Sequence, residues 1–344
     1  MCPRLKISFL VTYYQQEKYV KDSMDSLLAL EKPAAWEILI GDDGSTDGTV
    51  RAAQTYVDRD PEHIHLFVMD REPGKKYHSV QRASLNRLNL VRHATGDCFC
   101  LMDGDDFYSE TDFIPQALSL LETHPDVHVI AFDTWKYREG QSRKAKQTKN
   151  PDPVPTHRKA YLRWQYTHAG ACVFRNVFTP ERLQFLEQLG FYDDNGITLN
   201  SLNSGRLIRI HRPVYAYRQA AGSVYTAMQP EERASLNLAG LAASLRMMDP
   251  PWEKDLTARY STAVWMGWFL RKKLRQNMRP DRYQTYLEAC RHMNFTHGVQ
   301  LLQYPDLDRN AQRDVRRWVL RAGWQSPPRV LFAWLQIHAR RQQP

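Results

Sequence analysis

Short unbroken apolar runs alternate with amphipathic stretches through the first third of the chain. Ile7-Ser8-Phe9-Leu10-Val11-Thr12 predicts a strand, after which Tyr19, Val20, Met24, Leu27 and Leu28 recur at helical spacing. Trp36 to Ile40 predicts a second strand that runs straight into Gly41-Asp42-Asp43-Gly44-Ser45-Thr46-Asp47-Gly48-Thr49. The Ser, Thr and Asp of that run can cap a helix beginning near Thr49. Two adjacent Asp before the Gly exceed what a cap needs. Cys98 to Met102 predicts a third buried strand, with Cys98 and Cys100 alternating inside it. Apolar strands separated by helices predict a mainly parallel sheet covered on both faces, and such sheets bind ligands at the carboxyl ends of their strands.

Candidate chemistry falls at those ends. Leu101-Met102-Asp103-Gly104-Asp105-Asp106 places three carboxylates within four residues, directly after the third strand. Crowded carboxylates repel one another unless a cation neutralises them, and hard oxygen ligands suit Mg²⁺ or Mn²⁺. A solvated acidic turn is the alternative. A second acidic pair, Phe191-Tyr192-Asp193-Asp194, precedes a helical spacing of Leu199, Leu202 and Leu207 and the strand-like Ile208-Arg209-Ile210. Carboxylates at a helix N-terminus are favoured by the macrodipole, and a carboxylate there can equally serve as a general base. Thr167 to Phe174 predicts a further strand carrying His168.

Composition is that of a globular protein without low-complexity tracts or repeats. The apolar runs fall short of the ~20 residues that span a bilayer. The N-terminus lacks a signal-peptide pattern, and five cysteines without metal-finger spacing agree with a reducing cytoplasm. Charge changes the picture more. Residues 1–230 hold 28 basic and 28 acidic side chains, whereas residues 231–344 hold 19 and 10, so the net charge of +9 lies wholly in the C-terminal third. That third predicts helices at Leu236 to Met248, Leu256 to Asn277, Asp281 to Met293 and Arg309 to Ala322. Ala263 to Leu270 followed by Arg271-Lys272-Lys273, and the stretch from Arg329 to Arg341, have the form of basic amphipathic helices. They suit an anionic membrane surface or an acidic acceptor as well as inward packing of Trp and Leu. Lys136 to Arg163 carries nine basic residues against two acidic ones and three prolines, and predicts a loop.

Taken in order, four features resemble the nucleotide-diphospho-sugar glycosyltransferases of family 2, GT-A type. They are the first strand with its Thr12-Tyr13-Tyr14 loop, the Gly41 to Thr49 run, Ala94-Thr95-Gly96-Asp97, and Asp103-Gly104-Asp105-Asp106. The resemblance covers about residues 5 to 226. It implies a GT-A catalytic domain at 1–230, an α/β fold with a mixed, mainly parallel central sheet and flanking helices, followed by a basic, mainly helical region at 231–344. The resemblance also implies roles. Asp105 would be the first metal ligand, for Mn²⁺ or Mg²⁺, and Asp103 would contact metal, ribose or metal-bound water, with Gly104 beside the donor and Asp106 orienting the site. Asp42 and Asp43 would face base or ribose, with Thr12 and Tyr14 lining the base pocket. Arg82 and Arg87 suit either a base or phosphate contact or an ordinary solvated helix charge. Arg218 and Ser223 would meet phosphate oxygens. Asp194 would be the general base of an inverting transfer, with Asp193 as the alternative.

The chain departs from the family pattern at Thr12 and Tyr14, where relatives carry Pro and Asn, and at Gln219-Ala220-Ala221, where relatives carry a His. The expected partners are a nucleotide-sugar donor, a UDP-sugar first, and a glycan or lipid-linked acceptor in surface polysaccharide synthesis. The expected location is cytoplasmic, with peripheral membrane contact through the basic helices. Two rivals are a nucleotidyltransferase, disfavoured because no Gly-rich basic loop follows the first strand, and a non-enzymatic binder of nucleic acid or another anionic polymer. The missing G-x-G-x-x-G after that strand also argues against a dehydrogenase.

Overall fold

A computed structural model of the chain describes residues 5–75, 77, 79–138, 153–156, 168–190 and 192–219. The helices expected from Leu236 onward, Ser223 and most of the basic stretch between Glu139 and Thr167 lie outside the described residues. Four strands, β1 (Ile7–Tyr13), β2 (Trp36–Asp42), β3 (Ile64–Val68) and β4 (Cys98–Asp103), run parallel in the order β3-β2-β1-β4. Three crossover helices join them: α1 (Glu17–Leu28), α2 (Thr49–Val57) and α3 (Ser79–His93). The sheet continues through β8 (Cys172–Arg175), antiparallel to both β4 and β6 (Val127–Tyr137), and through β9 (Arg206–Arg218), parallel to β6. β5 (Phe107–Tyr108) and β7 (Pro153–Thr156) pair antiparallel with β9, which completes a nine-stranded mixed sheet. Helices α4 (Phe113–Thr123), α5 (Pro180–Leu189) and α6 (Asp194–Leu202) complete the described elements.

The apolar alternation explains the layers. Phe9, Val11, Ile38, Ile40, Cys100 and Met102 bury one sheet face against Val20, Met24 and Leu27 of α1, Ala53 and Tyr56 of α2, and Ile114, Ala117 and Leu118 of α4. Leu10, Leu39, Phe99 and Leu101 are equally buried and alternate toward the other face, where α3 packs so closely that a Cβ on Gly41 would meet the Asn86 side chain at 2.3 Å. Phe99 stacks on Phe174 of β8 at 5.2 Å. Leu28 ends α1 and stays exposed, so the apolar face of that helix is one residue shorter than its spacing predicts.

The chain leaves β1 toward β2 on one side and returns to pair β4 on the other, which makes the carboxyl end of β1 a topological switch point. Register fixes what meets there: Thr12 lies opposite Asp103, and Tyr13 opposite Asp42. The β1 and β2 exit loops are also laced together. Gln15, the one non-glycine with positive φ among the described residues (53°), accepts from Thr46 N–H and Asp47 N–H through Oε1, at 2.9 and 3.1 Å. Asp47 in turn accepts from Thr49 N–H and Glu17 N–H, which serves the starts of both helices.

Three expectations change. Leu207 does not continue the helix of Leu199 and Leu202; α6 ends at Leu202 and Leu207 is buried in β9. Pro153–Thr156 is not loop but a short strand on β9, where an outer position tolerates Pro. The strand predicted from Thr167 begins only at Cys172, because Ala169–Ala171 form a 3₁₀ turn. Tyr215 packs against that turn, and a Cβ on Gly170 would lie 2.2 Å from its ring.

At the opposite end of the sheet, Glu37 joins β1, β2 and the approach to β4. It accepts from Ser8 Oγ at 2.5 Å, Thr95 N–H at 2.7 Å and Lys6 Nζ at 3.3 Å. Glu37→Ala leaves these donors without their acceptor and should cost about 3 kcal/mol, read as a lower urea midpoint with unchanged m-value.

Candidate active site

The Asp103 to Asp106 turn caps the end of β4. Gly104 N–H donates to Thr12 O at 2.9 Å, and the glycine is required because a Cβ would meet the Tyr13 ring at 2.1 Å. Asp103 accepts from Arg87 at 2.7 Å and from the Thr12 hydroxyl. Burial pushes the Asp103 carboxyl up, but the Arg87 guanidinium beside it outweighs burial and holds it below its ordinary value. Asp105 is less fully compensated: burial and then the Asp103 charge push it up to about 6, against the lowering effects of Arg218 and a Gln16 hydrogen bond. Burial, followed by Asp103 and Asp105, pushes Asp106 up to about 9. Asp106 therefore stays protonated at neutral pH unless something cationic joins the turn.

Strand β9 supports the turn from behind. The Tyr215 hydroxyl donates to Asp106 Oδ2 at 2.8 Å and accepts from Asp103 N–H at 3.3 Å. Arg218 N–H donates to Asp106 Oδ1 at 2.7 Å, while its guanidinium donates to Asp105 O at 2.6 Å and to Asp22 Oδ2 at 2.9 Å. The guanidinium carbon sits over the rings of Tyr19, Tyr137 and Phe107 at 4.8, 5.0 and 5.3 Å. Arg218 is thus buried behind the acidic turn and braces it.

Asp42 and Asp43 part company. Asp42 is fully buried and accepts from Ser45 N–H and Ser45 Oγ at 2.7 and 2.6 Å, which makes it the anchor of the turn. Burial raises its pKa. Asp43 lies between two guanidiniums: Arg82 reaches Oδ1 at 2.5 Å, and Arg71 binds Oδ2 and, through Nε, the Asp43 carbonyl at 2.5 Å. Arg71 also lies 4.0 Å from the ring centroid of Tyr14, which is exposed. Tyr14, Arg71, Asp43 and Arg82 form one wall beside the end of β2.

The second acidic pair is also divided in labour. Asp193 is the N-cap of α6, accepting from Gly196 N–H at 2.8 Å, and burial raises it to about 6. Asp194 faces a small cleft lined by Arg87, Asp103, His168, Gly170 and Asp194 itself. His168 Nε2 lies 3.7 Å from Asp194 Oδ2. The structure therefore brings Asp103, Asp194, Arg87 and His168 together, with Asp105 and Asp106 on the adjoining turn. It sets Asp43 with Arg82 in a separate pair.

Among the described residues, one set of side chains comes close enough together to be a candidate for holding a metal. Asp103, Asp106 and His168 place donor atoms within 4.8 Å of one another, and Asp105 adds a carboxylate in the same turn. Oxygen-rich donors with two carboxyls pushed upward by mutual repulsion fit a hard divalent cation.

A mixed sheet with four parallel strands and a carboxylate turn at the switch point defines a GT-A type sugar-transferase fold. The glycosyl transferase family 2 model matches residues 8–179, and the chain belongs to that family. The chain is 32% identical over 125 residues to EpsE of Bacillus subtilis (strain 168), covering 36% of this chain and 41% of EpsE. It is 24% identical over 221 residues to the poly(ribitol-phosphate) β-N-acetylglucosaminyltransferase TarS of Staphylococcus aureus, covering 62% of this chain and 35% of TarS. The chain thus aligns with less than half the length of these relatives. The S. aureus TarS 1–349 structure in complex with UDP-GlcNAc superposes with a TM-score of 0.59 at 15% identity, over 93% of this chain and 92% of that one, which is a likeness of fold.

Sequence reasoning left Arg87 open between ligand contact and solvated charge; its side chain is only 14% exposed and pairs with Asp103. Arg82 is likewise buried rather than solvated. Tyr215, Asp22 and Arg71 escaped notice. Two of them had a usable signal. Tyr215 and Tyr217 alternate along β9, and His168 packs on both; Asp22 follows Tyr19 by three residues on α1, and Arg218 meets both. Arg71 follows no element pattern. Tyr215→Phe removes the hydroxyl from Asp106 and should cost about 1–3 kcal/mol in urea unfolding, with the fold retained.

Proposed function

We propose that this protein is a metal-dependent, inverting glycosyltransferase that moves a sugar from a nucleotide-diphosphate sugar, UDP-linked first, to a glycan or lipid-linked acceptor. The observation that carries the reading is the convergence of Asp103, the first carboxylate of the acidic turn, and Asp194 on one cleft, with Asp193 occupied as a helix cap. Asp105 and Asp103, with Asp106 adjoining, would hold the cation. When bound, Mn²⁺ or Mg²⁺ supplies charge neutralisation for a departing diphosphate. Asp194 takes the proton of the acceptor hydroxyl as its oxygen attacks the anomeric carbon; the bond from that carbon to the diphosphate breaks, its electron pair leaves on the diphosphate oxygen, and configuration inverts. Arg87 holds Asp103 ionised, and Tyr215 and Arg218 hold the turn in place. The wall of Tyr14, Arg71, Asp43 and Arg82 would receive the nucleoside.

Known proteins support the donor class. TarS has been solved with UDP-GlcNAc, and a mannosyltransferase from Pyrobaculum calidifontis (17% identity, TM-score 0.50, 97% of this chain and 87% of that one) with GDP-Man and Mn²⁺. A polymer acceptor, as the name of TarS states for that protein, agrees with a role in surface polysaccharide synthesis. Among the described residues no helix is long and apolar enough to cross a membrane. Membrane attachment through the basic helices of a separate C-terminal region, residues 231–344, is part of the same proposal.

A melting panel of UDP-, GDP-, dTDP- and CMP-sugars, each with and without Mn²⁺, tests the donor. One nucleotide should raise the midpoint only with Mn²⁺. Asp105→Ala should melt normally and lose that shift. Asp194→Asn should keep the shift and lose transfer by a hundredfold or more; full transfer by this variant would remove Asp194 as base. Cation binding must displace the proton that Asp106 holds below about pH 9, and below about pH 6 that of Asp105 as well, so Mn²⁺ affinity should rise with pH up to about 9, more steeply below about 6. The slope should be roughly tenfold per pH unit for each proton displaced, and calorimetric titration measures it.

A further inference from the structure

His168 stands beside the proposed base, and the catalytic scheme leaves it unused. It precedes the 3₁₀ turn, its side chain is 11% exposed, and its ring is held on two sides. Tyr215 stacks on it with centroids 5.1 Å apart and planes 29° apart, and Tyr217 packs at 5.1 Å. Gly170 N–H donates to Nδ1 at 3.2 Å. A neutral imidazole that accepts at Nδ1 carries its proton on Nε2, and that nitrogen faces Asp194 Oδ2 at 3.7 Å. Contacts of this kind are commonly long before substrate arrives and tighten in the reacting complex.

We propose, resting on the reading of Asp194 as base, that His168 is a positioning residue: its Nε2–H aims the Asp194 carboxylate into the cleft, and the imidazole is not a metal ligand. Its nearness to Asp103 and Asp106 invites the second role, but neither nitrogen is free for it. Nδ1 is taken by the Gly170 N–H, and Nε2 bears the proton. The Tyr215 that clamps the ring also holds Asp106, so the orientation of the base is set by the strand that braces the acidic turn.

The test uses His168→Leu and His168→Gln in the full chain, with water as acceptor and the nucleotide sugar that gives the largest shift in the melting panel. His168→Leu should lower kcat for nucleotide release ten- to a hundredfold, with the melting shift by that donor and the calorimetric affinity for Mn²⁺ alone unchanged. His168→Gln returns an N–H toward Asp194 and should recover most of kcat. In the Asp194→Asn background, His168→Leu should cause no further loss. A weakened Mn²⁺ affinity in His168→Leu would make the imidazole a ligand and overturn the proposal. So would a normal kcat in that variant, or an additive loss in the double variant. Should His168→Leu fail to fold, His168→Gln decides alone: a normal melt with kcat still lost overturns the positioning role. Full activity of Asp194→Asn by itself would instead sink the reading of the base, so the two failures are told apart.

Discussion

Crowding of negative charge at the end of β4 is the constraint on which the rest of the site depends. Three carboxylates in one turn repel, and burial strengthens the repulsion by removing water. The protein answers with one cation in front, Arg87 on Asp103, and one behind, Arg218 across the turn. Arg218 offsets the charge of Asp105 only in part, and its carboxyl stays raised to about 6.

Strand β9 is the element that makes this arrangement cohere. It pairs with β6 in both halves; its first half also pairs with β7, and its second half, beyond a register shift opposite Asp133, also pairs with β5 and delivers Tyr215 and Arg218 to the acidic turn. The same strand carries the two tyrosines that hold His168. Turn and imidazole therefore share one support, and a displacement of β9 would be felt by both. The wall of Tyr14, Arg71, Asp43 and Arg82 is built differently, from the β1 and β2 exit loops and α3, so the two halves of the site rest on different parts of the sheet.

The parallel half of the fold was legible because its strands are buried on both faces and read as unbroken apolar runs; β1, β2 and β4 begin where the sequence placed them, and each extends one or two residues further. The acidic turns were legible because a capping role does not use so many carboxylates. Pro153 and Pro155 concealed β7, since an edge strand without its full set of N–H donors looks like a loop until β9 lies beside it. The split between Asp193 and Asp194 was equally hidden: adjacent residues of one type differ only once α6 claims the first as its cap. Arg82 and Arg87 stayed open between ligand contact and solvated charge because their counter-ions, Asp43 and Asp103, come from distant parts of the sequence.

Gly170 has a consequence for how such enzymes diversify. Its carbonyl accepts from Tyr108 at 3.0 Å, and the space where a side chain would stand is filled by Tyr215. Any larger residue there would push that ring off Asp106, so a change at the 3₁₀ turn would be transmitted to the acidic turn. The 3₁₀ turn and the tyrosine are one module: a loop grafted in place of the turn leaves the acidic turn intact only if the glycine travels with it.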